Sequence, residues 1–302
     1  AESERAGKIK VSLGYLDGTT GESARVQKTS GLEVLGIGSS DRDLSGKAKA
    51  LKSVSSSENV TGLEGAKLLD LSQWKTEDVT IKPNTSLEGS FGDVIGNYDI
   101  GEVSYKATAR YSNKWNREYQ KRATYTPVDA NGNVEEQSEY YEDRVSNDID
   151  LSSALVFSLM GDNYSVNSNT MLLRNTQQES NEQLGLFGEY RTFEKNLDYI
   201  WQERQFFMQQ FTGDILFPET GNAEVSWGLT FANASLNMPD SRSYSLYVPG
   251  SENTAQIDGK FNPLANDLSS DLRFSTTNRP ARDYLSMKDK AVDFTLDGKI
   301  TA

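Results

Sequence analysis

Carboxylates are the residues of this sequence best suited to acid–base chemistry, and most of them are concentrated in one polar stretch. That stretch carries Glu135, Glu136, Glu139, Glu142 and Asp143. A second group flanks Arg42, with Asp41 before it and Asp43 after it. Paired carboxylates can hydrolyse glycosides or bind Ca²⁺, but a catalytic carboxylate needs an apolar pocket that shifts its pKa. Because no sequence feature marks such a pocket, we interpret both groups as solvated loops and predict no catalytic residue.

A short run beside this stretch is superficially similar to the opening of a calcium-binding loop. The run is Asp129-Ala-Asn131-Gly-Asn133. The sixth position of an EF-hand loop is glycine, whereas here Val134 occupies that position and Gly132 is at the fourth. We therefore interpret the run as a turn, and we predict neither a metal site nor a cofactor.

Two residue types that dominate enzyme active sites are absent from the chain. It contains no His and no Cys, which excludes thiol catalysis, Cys/His zinc sites and His-dependent catalytic triads. Its net charge of −13 argues against a nucleic-acid partner, whose phosphates would be repelled. Nothing in the sequence indicates an enzyme.

Ligand contact is the remaining kind of chemistry, and four residues are candidates for it. Tyr140 and Tyr141 lie in the polar stretch, where an aromatic ring can stack on a ligand such as a sugar. Arg242 and Tyr244 follow Pro239, where we expect the chain to leave a strand and enter a loop. We predict that these four side chains contact a ligand from loops.

The elements that position these candidates are extended strands, most clearly in the stretch from Tyr199 to Tyr247. Two extended runs flank a turn at 217–222, and the second run alternates. Its large apolar side chains are Val225, Trp227, Leu229 and Phe231. A period of two places them on one face of a strand. That face contacts either a soluble core or lipid, because both environments produce this alternation.

Further strands are predicted at 8–16, 99–115, 151–159, from 164 onward and from 292 to the end. The turn between the third and fourth is predicted at 161–163. Long polar loops are predicted at 17–30, 112–145, 174–200 and 232–285, and a loop or short helical turns at 39–73. No window holds 18 consecutive apolar residues, so no transmembrane helix is predicted. The alternation of short turns with long loops favours a β-barrel over a sandwich.

Several short motifs, in their order along the chain, resemble the barrel of TonB-dependent outer-membrane receptors. The motifs are Leu35-Gly36-Ile37 with Asp41-Arg42-Asp43-Leu44; Trp74, Pro83-Asn84, Ser86-Leu87 and Gly92; Leu172-Leu173-Arg174-Asn175; Gln202 to Gln205, Gly213 and Trp227; and Pro239-Asp240-Ser241-Arg242 with Tyr244 and Tyr247. The resemblance covers most of residues 8–302. It implies an antiparallel transmembrane β-barrel with short periplasmic turns and long extracellular loops.

The resemblance also implies a location and a function. Members take up a scarce ligand, such as a siderophore, a cobalamin or a glycan, across the outer membrane of Gram-negative bacteria. The TonB system supplies the energy through a plug domain inside a barrel of about 22 strands. The plug and the TonB-binding segment are not in this chain, and no aromatic residue ends it. We therefore expect residues 1–302 to form one incomplete barrel domain, the N-terminal half of the barrel, that contacts outer-membrane lipid.

Two other folds are compatible with the same strands. A complete, smaller porin-like barrel requires the strand at 8–16 to pair with the strand at 292–300. A soluble, secreted β-sandwich that binds carbohydrate requires two apolar faces to meet in one core. Those faces carry Leu151, Leu155 and Phe157 on one strand, and Val225, Trp227 and Leu229 on the other.

Overall fold

The computed structural model describes residues 6–29, 31–38, 42, 76–188, 192–220, 223–247, 273–274 and 281–300. Within these residues the chain is built from strands, with short 3₁₀ turns at Gly31–Leu35 and Pro218–Thr220. No helix in the described part of the chain is long and apolar enough to cross a membrane. The expected all-β class is confirmed.

Eleven strands are described, and five of them are unusually long. They are β1 (Ala6–Gly14), β2 (Ser23–Gln27), β3 (Thr76–Thr80), β4 (Asn84–Tyr98), β5 (Gly101–Tyr125), β6 (Glu136–Met160), β7 (Tyr164–Phe187), β8 (Thr192–Phe217), β9 (Ala223–Tyr247), β10 (Arg273–Phe274) and β11 (Ala281–Lys299). Strands β5 to β9 have 24 to 26 residues each. Ordinary strands have about five or six residues, so these extend far beyond a typical globular sheet.

Most strands form one antiparallel sheet, the main sheet. Its order is β1-β4-β5-β6-β7-β8-β9, and both β10 and β11 pair with the far side of β9. Strands β2 and β3 form a separate two-stranded antiparallel sheet. Consecutive strands are therefore neighbours throughout β4 to β9, as in an up-and-down meander.

The main sheet is not closed on itself. Strand β1 pairs along its length with β4, and β11 pairs with β9. Residues 8–16 and 292–300 do not pair with each other in the part of the chain that the structure describes. The complete porin-like barrel, one alternative predicted from the sequence, requires that pairing. The structure therefore contradicts this alternative. The main sheet is open and has two edges among the described residues.

The two ends of the main sheet differ in their connections. At one end, the turn end, the chain reverses at 99–100, 161–163 and 218–222. The predicted turn at 161–163 is confirmed, and the Gly161 amide donates to the Tyr164 carbonyl at 2.9 Å. At the opposite end, the insert end, residues 126–135 and 188–191 connect β5 to β6 and β7 to β8. That end also receives the β2–β3 pair.

The predicted long loops at 112–145 and 174–200 are wrong, because both regions are mainly strand. Strands β5 to β8 continue through these polar residues to the insert end. Opposite charges across the ladder make this stable: Arg117 pairs with Asp143 at 2.7 Å, and Arg144 with Glu179 at 3.0 Å. Such cross-strand pairs stabilise a sheet without apolar side chains. In this chain, polar sequence is therefore typical of exposed strands as well as of loops.

The predicted loop at 232–285 is also wrong over its first part, since β9 continues to Tyr247, and over its end, which lies in β11. The loop or helical turns expected at 39–73 lie outside the described residues, except for Arg42. The predicted loop at 17–30 is wrong in part, because it contains β2, which runs from Ser23 to Gln27.

A buried apolar cluster lies where the β2–β3 pair packs on the main sheet. Ala24 and Val26 of β2 join Ile81 and Val145, and Val79 and Trp115 pack around them. We call residues 15–38, Arg42 and 76–83 the insert. The insert covers one face of β5 to β8 at the insert end.

The rest of that same face is mainly apolar, and no other element in the described part of the chain covers it. Cross-strand register places the following side chains on it: Ile9, Val11, Leu13, Leu87, Phe91, Tyr105, Leu151, Leu155, Phe157, Leu172, Phe207, Phe211, Val225, Trp227, Leu229, Phe231, Val292, Phe294 and Leu296. We call this set the apolar band and its side of the sheet the apolar face. The opposite side, the polar face, carries mainly Ser, Thr, Asn, Asp, Lys and Arg.

This arrangement contradicts the sandwich prediction. Phe157 of β6 and Trp227 of β9 belong to the same face of one sheet rather than to two facing sheets. No second sheet covers the apolar band among the described residues, and Phe157 keeps 42 % of its surface exposed. A soluble sandwich would bury these rings in one core.

Candidate functional site

The apolar band is the first candidate functional surface because it exposes large side chains that a soluble sheet would bury. Val11 is 67 % exposed and Leu296 is 64 % exposed. Within the band, the Phe91 and Tyr105 rings lie 5.8 Å apart, and the Tyr105 and Phe157 rings lie 6.2 Å apart. A continuous exposed apolar surface of this extent marks contact with a partner protein or with lipid.

The second candidate is the contact that docks the insert on the main sheet, and Gly36 is at its centre. The Gly36 carbonyl accepts hydrogen bonds from Arg174 Nε at 2.7 Å and from Thr176 Oγ1 at 2.8 Å. Gly36 has a φ of +73°, and a Cβ there would lie 3.0 Å from Ile149 Cγ2. Only glycine meets both requirements without strain.

A buried ion pair lies beside this contact. Arg42 Nε donates to Glu33 Oε1 at 2.6 Å, and Arg42 Nη2 donates to Glu33 Oε2 at 3.2 Å. Arg42 Nη2 also donates to the Lys28 carbonyl at 3.0 Å. The Arg42 and Glu33 side chains are only 5 % and 2 % exposed. Charges this deeply buried persist only when they are paired and hydrogen-bonded.

Trp201 and Glu203 of β8 connect the ion pair to the sheet. The Arg42 guanidinium lies 4.2 Å from the centre of the Trp201 ring, a cation–π geometry. Trp201 Nε1 donates to Glu203 Oε1 at 3.1 Å, and Arg174 Nη2 pairs with Glu203 Oε2 at 3.0 Å. The network thus joins the insert to β7 and β8 through buried charges.

This network brings together three motifs that lie far apart in the sequence. Gly36 and Arg42 belong to the motif within residues 35–44, Arg174 to the Leu172–Asn175 motif, and Glu203 to the Gln202–Gln205 motif. Arg204, the other charged member of the last motif, points to the opposite face and is exposed. The sequence shows these motifs only as separate segments. Their contact is a finding of the structure.

Tyr140 and Tyr141 lie in β6, so the loop position predicted for them is wrong. As neighbours in a strand they point to opposite faces. The Tyr140 ring stacks on Phe187 at 4.6 Å, and the Tyr141 ring stacks on Tyr119 at 6.0 Å. The structure therefore does not bring these two rings to one surface. Whether either contacts a ligand stays a prediction.

Arg242 and Tyr244 also lie in a strand, because β9 continues past Pro239. The register between β8 and β9 shifts in this region, and Asp240 has a φ of +63°. Asp240 is 1 % exposed and accepts hydrogen bonds from both Arg242 and Arg282. Arg242 is thus a buried partner of a carboxylate rather than a side chain at a loop tip. Its role in ligand binding stays a prediction.

Tyr244 lies beside Tyr199, with ring centres 6.5 Å apart. Burial is the main cause that raises the pKa of Tyr199, and Glu182, which accepts a hydrogen bond from the Tyr199 hydroxyl at 3.0 Å, raises it further. Burial likewise raises the pKa of Tyr244. Burial and the neighbouring Asp240 charge raise the pKa of Tyr284 to about 12. These phenols are hydrogen-bonding structural groups at neutral pH.

The acidic stretch lies in β6 from Glu136 to Asp143 rather than in a solvated loop, and only Glu135 precedes the strand. Glu142 accepts hydrogen bonds from Gln120 at 2.7 Å and from Gln183 at 2.9 Å. Burial raises the Glu142 pKa, but these hydrogen bonds and the Arg122 charge outweigh burial and lower it overall. Asp41 and Asp43 lie outside the described residues. The part of the chain that the structure describes contains no group of three or more potential metal ligands.

The Asp129 run forms the turn that the sequence predicts. Asp129 Oδ1 accepts hydrogen bonds from the amides of Asn131 at 2.8 Å and Asn133 at 2.7 Å. Gly132 has a φ of +84°, as such a turn requires. The amide of Asn133 is the main cause that lowers the pKa of Asp129.

Sequence reasoning missed Glu33, Trp201 and Glu203 as members of a site. The spacing of Trp201 and Glu203, two residues apart on one strand, places both on one face and was the available signal. Glu33 had no comparable signal, because no periodic pattern in the sequence links it to its partner Arg42. Only the fold shows that these residues meet.

Comparisons with known proteins do not identify a relative. No protein-family model, no curated protein and no solved structure matches the chain.

Proposed function

We propose that this chain forms part of the wall of an outer-membrane β-barrel of the TonB-dependent receptor class. The observation that carries the proposal is the exposed apolar band opposite a polar face in a sheet of long antiparallel strands. Strands of a membrane barrel alternate in this way because one face contacts lipid and the other contacts a wet interior. The apolar face is the proposed lipid surface.

The height of the apolar band suits a bilayer. On β6 the band carries Leu151, Leu155 and Phe157, and Leu159 extends it on the same face; successive residues of a strand rise about 3.3 Å. The run is therefore about 26 Å along the strand, which becomes about 20 Å once a strand tilt of about 40° is included. The apolar belt of outer-membrane barrels is about 25 Å tall.

The polar halves of β5 to β8 then extend beyond the bilayer. A membrane-crossing strand needs only about 9 to 11 residues, so strands of 24 to 26 residues have a long portion outside. The short connections at the turn end fit the periplasmic side. The insert end, with its charged rungs and docked insert, fits the extracellular side.

The two open edges are consistent with a wide barrel. Strands β1 and β11 each present one unpaired side among the described residues, and such edges are an association hazard unless other strands cover them. Receptors of this class have about 22 strands around a plug domain. In this proposal the chain supplies wall and capture surface, and the plug couples uptake to TonB. The ligand belongs to the siderophore, cobalamin or glycan classes.

Cell fractionation tests the proposal. The chain is expressed with an export signal in a Gram-negative host, and its fraction is followed after washing membranes with alkaline carbonate and urea. We expect it to stay in the outer-membrane fraction and to require detergent for release. Recovery as a monodisperse protein in the periplasm without detergent would reject the proposal.

A matched pair of variants separates lipid contact from general stability. Phe157→Asp places a charge in the apolar band, whereas Ser158→Asp places the same charge on the polar face of the same strand. We expect the first variant to lose outer-membrane insertion, because a charged side chain on the lipid face of a barrel strand is destabilising. The second variant is expected to insert as the unmodified chain does.

A further inference from the structure

The polar face carries an apolar island where its alternation predicts polar side chains. The island consists of Met171, Leu173, Phe206, Met208, Leu236 and Met287. Leu173 is 41 % exposed and Met287 is 57 % exposed, although the rows on either side of the island are polar. Large exposed apolar groups within a polar surface mark a binding site.

Four members of the island line a depression that crosses five neighbouring strands; they are Leu173, Phe206, Leu236 and Met287. Strands β6, β7, β8, β9 and β11 all contribute to its walls. The small side chains of Ser152 and Ala234 flank Leu173 and Phe206 in one row and leave space above them. Four inter-strand spacings of about 4.8 Å make the depression about 19 Å across. A body of two fused rings fits within that width.

Arg204 places one cation in the depression. It lies between Asn175 and Leu236 in the ladder, and its side chain is exposed. Its Nη2 donates to Gln202 Oε1 at 3.0 Å. Among the described residues no carboxylate lies within ion-pair distance of it, although the Asp148 charge on β6 interacts with it electrostatically. An exposed guanidinium with unused donors favours a planar anion such as a carboxylate.

The acidic side chains that line the depression do not form ion pairs with Arg204. Asp150, two strands away, accepts a hydrogen bond from Asn175 Nδ2 at 2.8 Å. Asp289 lies on β11 at the far side of the depression. Arg174 and Lys288 also border the depression, but the cross-strand register places both on the apolar face. Among the lining side chains of the polar face, Arg204 is the one cation, with Asp150 and Asp289 at opposite sides of the depression.

We propose that this depression binds an aromatic carboxylate, with the ring body on the apolar island and the carboxylate on Arg204. The inference goes beyond the barrel proposal, because it assigns a site and a ligand class to the polar face. It also stands apart from the four ligand candidates Tyr140, Tyr141, Arg242 and Tyr244, none of which lines the depression.

Calorimetric titration of the purified chain tests the site, with 2-naphthoate as the probe and neutral 2-naphthamide as the matched control. One non-ionic detergent is used in every titration. The wild-type chain is expected to bind naphthoate at least tenfold more tightly than naphthamide, because a hydrogen bond to a charged group contributes that much or more. The variant Arg204→Gln is expected to remove this preference.

Two further variants complete the test. Arg110→Gln removes an exposed cation from the same face outside the depression, and we expect it to leave naphthoate binding within twofold of the wild type. Ala234→Trp fills the depression and is expected to abolish binding of both probes. Circular dichroism checks that each variant is folded. If Arg204→Gln is unfolded, Ala234→Trp alone decides whether the depression is the site.

Three outcomes would overturn the inference: no naphthoate binding, equal binding of the two probes, or binding that Arg204→Gln or Ala234→Trp leaves unchanged. The result is separable from the barrel proposal. Carboxylate-selective binding by a chain that never enters the outer membrane would retain this site and reject the proposed function. Membrane insertion without selective binding would do the reverse.

Discussion

Trp227 lies directly across the ladder from Gly213, and its indole ring covers the place where a side chain on Gly213 would stand. A Cβ on Gly213 would lie 2.5 Å from Trp227 Nε1, well inside contact distance. The glycine therefore lets the largest ring of the apolar band lie flat on the neighbouring strand. The contact joins two residues that belong to the same resemblance motif but to different strands.

The first prediction concerns this pair. Gly213→Ala is expected to displace the Trp227 ring and to lower the free energy of unfolding by about 1–3 kcal/mol, as overpacking does. Urea unfolding of the chain folded into lipid vesicles measures the change. Gly89→Ala is the control, because a Cβ at Gly89 meets nothing within 4 Å on the same face. Equal losses in both variants would contradict the packing explanation.

A second prediction isolates the docking of the insert at Gly36. Gly36→Ala and Gly18→Ala both place alanine at a positive φ, +73° and +70° respectively. Only Gly36 is also in contact with the sheet, because a Cβ at Gly18 meets nothing within 4 Å. We expect Gly36→Ala to increase hydrogen exchange in β2 by at least tenfold over Gly18→Ala. Equal exchange in the two variants would show that backbone strain alone matters.

The third prediction concerns the buried ion pair. Arg42→Met leaves the Glu33 carboxylate without its bidentate partner, and breaking a buried pair costs about 3–5 kcal/mol. Arg25→Met breaks the Arg25–Asp78 pair, whose side chains are 41 % and 60 % exposed, and is expected to cost under about 1 kcal/mol. Unfolding in urea measures both. The double variant Arg42→Met with Glu33→Leu should recover part of the loss, and no recovery would contradict the account.

The fourth prediction is a pH dependence at Glu142. Its pKa is lowered in the folded chain, so its ionised form stabilises the fold above the unfolded pKa of about 4.3. That contribution is lost as the pH falls through the lower, folded pKa. The gap in unfolding free energy between wild type and Glu142→Gln should therefore shrink between pH 7 and pH 3. A gap that stays constant or widens on acidification would be inconsistent with this sign.

Alternation in the sequence was sufficient to predict the strands of the apolar band and the turn at 161–163. It was not sufficient for the charged halves of β5 to β8, which were predicted as loops. The reason is physical: opposed pairs such as Arg117 and Asp143 stabilise a ladder between strands, and one strand alone does not show its partner. Tyr140 and Tyr141 were misplaced for the same reason.

The contacts that dock the insert on the main sheet could not be predicted from the sequence for a different reason. Gly36, Arg174 and Glu203 are each unremarkable in their own stretch, and their contact depends on how the insert folds back over the sheet. Contacts between residues more than a hundred positions apart follow from the topology. The family resemblance rests on the order of these motifs along the chain. It does not predict that they contact one another.

The most direct test of the central claim measures which face of β6 contacts lipid. The chain contains no Cys, so Phe157→Cys and Ser158→Cys each introduce a unique labelling site on opposite faces. Each variant is labelled with bimane and folded into vesicles, and quenching is measured with brominated lipid and with aqueous iodide. We predict that brominated lipid quenches the label at position 157 and that iodide quenches the label at position 158. Iodide quenching at 157, without quenching by brominated lipid, would contradict the account.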